Sequence, residues 1–374
     1  MRIASVTVFK KDLPLATPFQ HSTSGRIDAL NEVFVKLKGD SGEVGFGEVR
    51  GNCQYVTGDT PDRLVGVLCD ILAPLVLGQD PTGPARIADM MDAAIVGNSG
   101  AKAVIDIAIY DLLGKALKLP AHMLLGGKNQ DRLPTGASIA FSPPEKAYQE
   151  CTKAIDDGFT AIKARVGIKP FRRDIERVEA IRRAIDDHPA REECTLGMDA
   201  NGTWGVKEAI RNIKTLTDYG VTWVEQPVAF NDFYGLKEVR DSVDIMVMAD
   251  EACKTPQDVL RLVEMRAADD FHLKLCKAGG PTRLRQMMSI AEAAGLPYLI
   301  GQMDEGMLAT AAAVQCAVAS RASHFGIFGY RRVGWQPITG LVQKGGVMGI
   351  PDGFGLGVEV DETQLDLVRT FNIS

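Results

Sequence analysis

Three carboxylates close short apolar runs at nearly constant spacing. Asp199 ends TLGMDAN, Glu225 ends VTWVEQP and Asp250 ends DIMVMADE, 26 and then 25 residues apart. Any one of them could simply cap the helix that follows, its oxygens accepting free backbone N–H groups. Three in register point elsewhere. If each run is a strand of successive β/α units, the acids meet at one rim, and their mutual repulsion calls for a cation. A hard divalent ion takes such oxygen ligands and keeps its remaining positions for water or substrate oxygens. Asp199, Glu225 and Asp250 are therefore candidate ligands for Mg²⁺, with Mn²⁺ as the alternative. Glu251 follows directly, and its neighbouring strand position would point it away from the mouth.

Basic residues flank this trio. In AIKARVG, Lys163 and Arg165 are two apart, so on a strand their side chains share a face. In HLKLCKAGG, Lys274 sits 24 residues beyond Asp250. Lys277, three further on, has the wrong parity for that face and reads as structural. A proton next to a carboxylate is very weakly acidic, because its removal leaves a doubly charged enediolate, and a metal on the carboxylate oxygens stabilises that charge. A lysine near a metal and other cations has its pKa pushed down, toward service as a general base. Lys274 is the candidate base; the bland alternative, a surface lysine paired with a nearby acid, fits poorly within an apolar strand. His122, His188, His272 and His324 look structural or exposed and form no metal-ligand spacing.

The elements that must position these groups change character along the chain. The first ~50 residues read as an antiparallel meander (RIASVTVFK, NEVFVKLKG, VGFGEVR), followed by the helical patterns PDRLVGVLCDILAPLVLG and AKAVIDIAIYDLLGKALKL. From about residue 134, short strand-like runs alternate with longer helical ones, which implies parallel strands with crossover helices. Seven or eight such units fit a TIM-type (β/α) barrel. An open doubly wound sheet is disfavoured, since no GxGxxG or GxxxxGK[ST] loop follows an early strand. The Gly-rich, strand-like end returns toward the N-terminal unit. The expected division is an α+β capping domain over residues 1–128, a barrel over 129–329, and a C-terminal segment, 330–374, rejoining the cap. Both chain termini would thus build the capping domain.

Composition narrows the class. With 374 residues, 45% hydrophobic and 24% charged content and a net charge of −6, the chain has the make-up of a large globular protein with no general attraction for nucleic acid or anionic membrane. Seven scattered cysteines, an odd count without a CxxC pair, indicate neither a disulfide framework nor a structural zinc. With no apparent signal peptide or long apolar run, a cytoplasmic location is expected.

Taken together, these residues resemble the enolase superfamily and, within the mandelate racemase/muconate lactonizing enzyme family, the muconate lactonizing enzyme (muconate cycloisomerase) subgroup. The resemblance spans nearly the whole chain, through VGFGEVR, KAVIDIAIYDLLGK with LLGG, the MDAN, VEQP and ADE strand ends, LKLCKAGG and PDGFGLGVEVDE. It implies a capping domain over a barrel, metal-stabilised enolate chemistry, Asp199, Glu225 and Asp250 as metal ligands, and Lys274 as the base on one substrate face. The subgroup's second-strand Lys-x-Lys is here Lys163-Ala164-Arg165, and arginine stays protonated in proteins. The mandelate racemase histidine is missing at IGQMDEG, and SHFGIFGY lacks both the acid of muconate cycloisomerases near Gly326 and the Asp-x-Asp of dipeptide epimerases. Those specific activities are therefore not expected.

With Arg165 opposite, a one-base course through Lys274 suits β-elimination from an amino acid or other small carboxylate, Arg165 acting as a fixed cation. The alternative is a two-base racemase or epimerase of an amino-acid derivative, with Lys163 or an activated Arg165 as second base. A different class, a non-catalytic carboxylate-binding relative, also stays open. The resemblance places the capping loops at 17–25 and 50–58, where His21, Arg50 and Tyr55 are candidate substrate contacts. Asp304 and Glu305, after the seventh strand, could pair with a substrate ammonium group. Barrels of this kind commonly associate, so a homo-oligomer is expected.

Overall fold

The computed structural model describes residues 1–21, 25–322, 324–327 and 329–373, with residues 19–21 described in their backbone alone. A four-stranded antiparallel sheet is built from Ile3–His21, Gly25–Gly39 and Val44–Arg50, and the chain's last strand, Asp366–Asn372, pairs on the outside of the first. The inner strands bury both faces: Val8, opposite Val35, packs into one apolar cluster, and Phe9, opposite Phe34, packs into another. Among the described residues between the end of the barrel and the last strand, each strand is two residues long, and one of them, Val347–Met348, pairs with Leu133–Pro134 just before the barrel.

The helix Ser99–Leu117 joins this sheet to the rest of the protein. Its residues 100–114 are all buried, as expected for a helix apolar on every side. On one side it presses against the strand Val44–Arg50. Gly47 makes that approach feasible, since a Cβ there would lie 1.9 Å from the Val104 carbonyl oxygen. On the other side Asp106 accepts from Thr282 N at 2.7 Å and from Thr282 Oγ1 at 2.8 Å. Asp111 accepts from Phe46 N at 2.8 Å and Leu356 N at 2.9 Å. These buried acids, each with backbone donors, tie the cap to the barrel and to the C-terminal segment.

The barrel is a TIM-type fold of eight parallel strands in sequential order: Ala137–Ile139, Ala161–Arg165, Thr195–Asp199, Val221–Glu225, Met246–Ala249, Asp270–Lys274, Tyr298–Gly301 and His324–Gly326. A bridge between Thr135 and Phe325 brings the first strand back to the eighth. Amphipathic helices follow most strands. Arg172–Asp186 buries Val178, Ile181 and Ile185 at helical spacing, and Pro256–Met265 begins with a reciprocal cap between Thr255 and Asp258. Met307–Ala319 is buried on nearly every residue. All seven cysteines are unpaired. Among the described residues, no helix is long and apolar enough to cross a membrane.

Candidate active site

Register brings the polar side chains to one level. Arg165 pairs with Asp199 across the second and third barrel strands, and Asp199 pairs with Glu225 across the third and fourth. Asp250 lies one residue past the fifth strand, and Lys274 ends the sixth. All sit at the carboxyl end of the barrel, where βα loops build sites. Asp199, Glu225 and Asp250 are almost wholly buried, at 2%, 1% and 2% exposure.

The three acids are linked in series by cations and donors. The Lys163 ammonium lies 2.8 Å from Glu225 Oε2 and 3.4 Å from Asp199 Oδ2. His272 Nδ1 lies 2.8 Å from Glu225 Oε1 and 3.6 Å from Asp250 Oδ2. Lys274 donates to Asp250 Oδ2 at 2.5 Å. Lys277 donates to the Asp250 carbonyl at 2.5 Å and to the His272 carbonyl at 2.7 Å, and also reaches the Asp250 carboxylate. Positive groups thus already balance the carboxylates, as buried charge requires. Three hard oxygen donors facing one another, each now served by an ammonium or imidazole, fit a divalent cation of the Mg²⁺ type. The tightest cluster of ligand-type atoms is Glu225, Asp250 and His272, all within 4.8 Å. Nδ1 of His272 is spent on Glu225, whereas Asp199 offers a carboxylate at the same rim, the donor type a hard cation prefers over imidazole nitrogen.

Electrostatics here run against one expectation. Burial lowers the Lys274 amine, but the carboxylates of Asp250, Glu225 and Glu251 outweigh it and leave the amine raised, not depressed. The lowering expected of a base needs a cation that takes up the acids' charge. Burial opposes ionisation of Asp250, yet Lys274, Lys277 and His272 hold its carboxyl well below the usual range. Arg165 is raised, since Asp199 and Asp304 outweigh its burial, so it remains a guanidinium.

Other candidates separate into two groups. Asp304, 8% exposed, lines the same cavity as Tyr55, Arg165, Asp199 and Lys274, and its Oδ1 has no partner. Arg50 stands behind it, donating through Nη1 to the Asp304 carbonyl at 3.4 Å and through Nε to Asn52 at 2.8 Å. Glu305 turns instead toward the cap, accepting from Met303 N at 3.1 Å. The His21 side chain lies outside the described residues.

Four residues were misplaced or missed. Glu251 does not point away: the fifth strand stops at Ala249, so Glu251 sits in a turn, lines the cavity and accepts from Asn201 Nδ2 at 3.2 Å. Burial and the charge of Asp250 push its carboxyl up to about 8. His272 is no bystander, and its place two residues before Lys274 is the parity signal that would have found it. Asn201, in a left-handed conformation, holds Asp199 through N–H at 2.9 Å and takes Arg165 Nη1 at 3.1 Å. Gln226 accepts from Asp250 N and Ala252 N, both at 3.0 Å, and fixes the turn carrying Asp250. Gln226→Leu, which strands two buried N–H groups, is expected to cost about 2–4 kcal/mol in denaturant unfolding; a loss within 0.5 kcal/mol, the usual range for a surface change, would mean that the turn is held otherwise.

Glu305 joins a second acidic group at the cap–barrel junction. Glu48 accepts from Ala309 N at 2.8 Å, while both Glu32 oxygens lack partners. Burial pushes Glu48 up to about 8 and Glu305 up to about 7, and raises Glu32 well above its usual range; Arg50 faces Glu32 and Glu305, and Lys274 also acts on Glu305. Acids raised on folding contribute stability that is fully present below about pH 4.5 and is lost as the pH climbs through 7 and 8. The thermal unfolding midpoint of the protein is therefore expected to fall from pH 5 to pH 8, and Glu48→Gln, which keeps an acceptor and cannot ionise, to flatten that decline. An unchanged slope in the variant would show that Glu48 is already ionised in the fold.

Two family descriptions match the chain. "Mandelate racemase / muconate lactonizing enzyme, N-terminal domain" covers residues 3–126, and "Enolase C-terminal domain-like" covers 146–364. The L-Ala-D/L-Glu epimerase of Clostridium acetobutylicum is 36% identical over 323 residues, 86% of this chain and 88% of that protein. The dipeptide epimerase of Cytophaga hutchinsonii, solved with Mg and D-Ala-L-Val, superposes with a TM-score of 0.92 at 30% identity over the full length of both chains. The N-succinyl Arg/Lys racemase of Bacillus cereus superposes at 0.94 with 28% identity, again over both full lengths.

Proposed function

Because the chain belongs to the mandelate racemase/muconate lactonizing enzyme family, and is thus an enzyme of the enolase superfamily, we propose that it removes the proton α to a substrate carboxylate and completes a one-base β-elimination. The substrate in this reading is a small amino or imino acid bearing a β-hydroxyl. The observation that carries it is the arrangement of cations around the acids: Lys274 can exchange a proton, while the guanidinium across the cavity, Arg165, cannot.

Asp199, Glu225 and Asp250 would hold Mg²⁺, or Mn²⁺, which would draw off charge developing on the substrate carboxylate and free Lys274 from its carboxylate partners. Lys274 Nζ takes the α proton. The released electron pair forms the Cα–Cβ double bond as the Cβ–O bond breaks, and Nζ returns its proton to the departing hydroxyl, which leaves as water. One amine thus serves as base and then acid on a single face. Arg165, steadied by Asn201, clamps a substrate oxygen, and Asp304 faces the substrate ammonium. Tyr55 and Met303 line the cavity over the acids and limit water. The reading also includes the 1–128, 129–329 and 330–374 division, a homo-oligomer and a cytoplasmic location.

A second reading, two-base epimerisation of an amino-acid derivative, is favoured by the epimerases and racemase among the similar proteins. The two separate in D₂O by NMR across β-hydroxy amino acids and dipeptides. Elimination predicts loss of the substrate's β-oxygen without inversion, and Arg165→Lys, which restores a second amine, is expected to gain inversion with solvent deuterium. Rapid inversion by the unaltered protein would overturn one-base chemistry.

A further inference from the structure

Beneath the acids, on the side where the barrel strands begin, the barrel interior is not filled. TIM barrels usually pack this space with layers of bulky branched side chains. Here the inward positions of the first, second and eighth strands carry Ala137, Ala161 and Gly326, and a cavity of about 270 Å³ remains. Its walls are mainly apolar, with Trp223, Met246, Met248 and Leu299, while Lys163 and Glu225 line it on the side of the acids, and it opens beside Met246, which is 40% exposed at the start of the fifth strand. A void of roughly 150 Å³ is enough to hold benzene.

A buried polar atom at the edge of this space has no partner. His272 Nδ1 meets the Glu225 carboxylate at 2.8 Å, and a carboxylate only accepts, so Nδ1 carries the proton and Nε2 is an acceptor. Nε2 is buried and makes no hydrogen bond. It lies over the bare faces of two glycines: a Cβ at Gly301 would stand 1.9 Å from it and one at Gly326 3.5 Å away. Gly326 and His272 both line the cavity. A buried acceptor left empty costs free energy that an incoming donor would recover.

We infer that the barrel interior below the acids is a second binding site, taking a neutral aromatic molecule the size of a phenol or indole that donates one O–H or N–H to His272 Nε2. The aromatic face packs against Trp223 and the two methionines, which tolerate varied ring shapes. Binding is read on the protein itself, so its test needs no substrate and no metal.

The probe is 4-fluorophenol, followed by ¹⁹F NMR with methyl-¹³C methionine in the protein. Saturable broadening of the fluorine signal is expected, with shifts of the Met246 and Met248 methyls and none at Met1 or Met265. The donor-free 4-fluorotoluene is expected to bind about tenfold more weakly. Ala161→Phe fills the space and is expected to abolish binding; the methyl map on the unaltered protein decides the matter should that variant fail to fold. The site is overturned if 4-fluorophenol does not saturate, if shifts fall on methionines outside the cavity, if the toluene binds equally well, or if folded Ala161→Phe still binds.

Discussion

Lys274→Ala is expected to lower turnover by about a thousandfold, ~4 kcal/mol of transition-state stabilisation, while substrate affinity changes by no more than a few-fold. The size follows from the role: in a one-base course the same Nζ takes the α proton and returns it to the leaving group, and neither Lys163, committed to Glu225 at 2.8 Å, nor Arg165, held as a guanidinium, replaces it. The fold should survive, because the Asp250 carboxylate keeps Lys277, which is itself pinned by the His272 carbonyl at 2.7 Å. Steady-state rates with saturating Mg²⁺ check this. A variant within tenfold of the original rate would move the base elsewhere, and one that binds and acts unchanged would support a binding protein instead.

The second large effect concerns the cation. Mg²⁺ at a hundred times its dissociation constant should stabilise the folded protein by about 2.7 kcal/mol, since it binds the fold and not the unfolded chain. Asp199→Asn isolates that term. It removes one oxygen charge but leaves Lys163 paired with Glu225, so no buried ammonium is stranded. With affinity reduced at least about a hundredfold, the same Mg²⁺ concentration should contribute only roughly 0.4 kcal/mol. Thermal unfolding with and without Mg²⁺ measures both. An undiminished Mg²⁺ effect in the variant would favour the alternative trio in which His272 takes the place of Asp199.

Much of the architecture was legible because barrel geometry repeats. A β/α unit has a nearly fixed length, so acids 26 and 25 residues apart at strand ends had to reach one rim. Parity along a strand likewise placed Lys163 and Arg165 together, and the structure puts both in the cavity of Asp199 and Lys274. Parity failed where the strand itself ended. Alternation sends Glu251 to the far side only if the strand runs through it, yet Met246–Ala249 stops two residues short. Lys277 reaches the Asp250 carboxylate because the short helix Leu275–Ala278 replaces strand geometry after Lys274.

What the sequence hides are long-range encounters. Glu48 meets the helix after the seventh strand at Ala309, 261 positions away, and nothing local to VGFGEVR announces a buried acid cluster with Glu305 and Glu32. The direction of the Lys274 shift is likewise out of reach, since it depends on Glu225 and on the adjacent pair Asp250 and Glu251, which a different β/α unit supplies. The contacts that would choose the substrate come from the cap loop, the strand-seven loop and the second strand at once, so spacing along the chain carries little of that information.

In the proposed site, three carboxylates share one divalent ion with the Lys274 amine across from it. Crystals grown with Mn²⁺ and measured for anomalous scattering test it most directly. The expected result is one strong peak ligated by an oxygen from each of Asp199, Glu225 and Asp250, with the Lys274 amine facing its open side. A peak bound elsewhere, or no peak at saturating Mn²⁺, would contradict it.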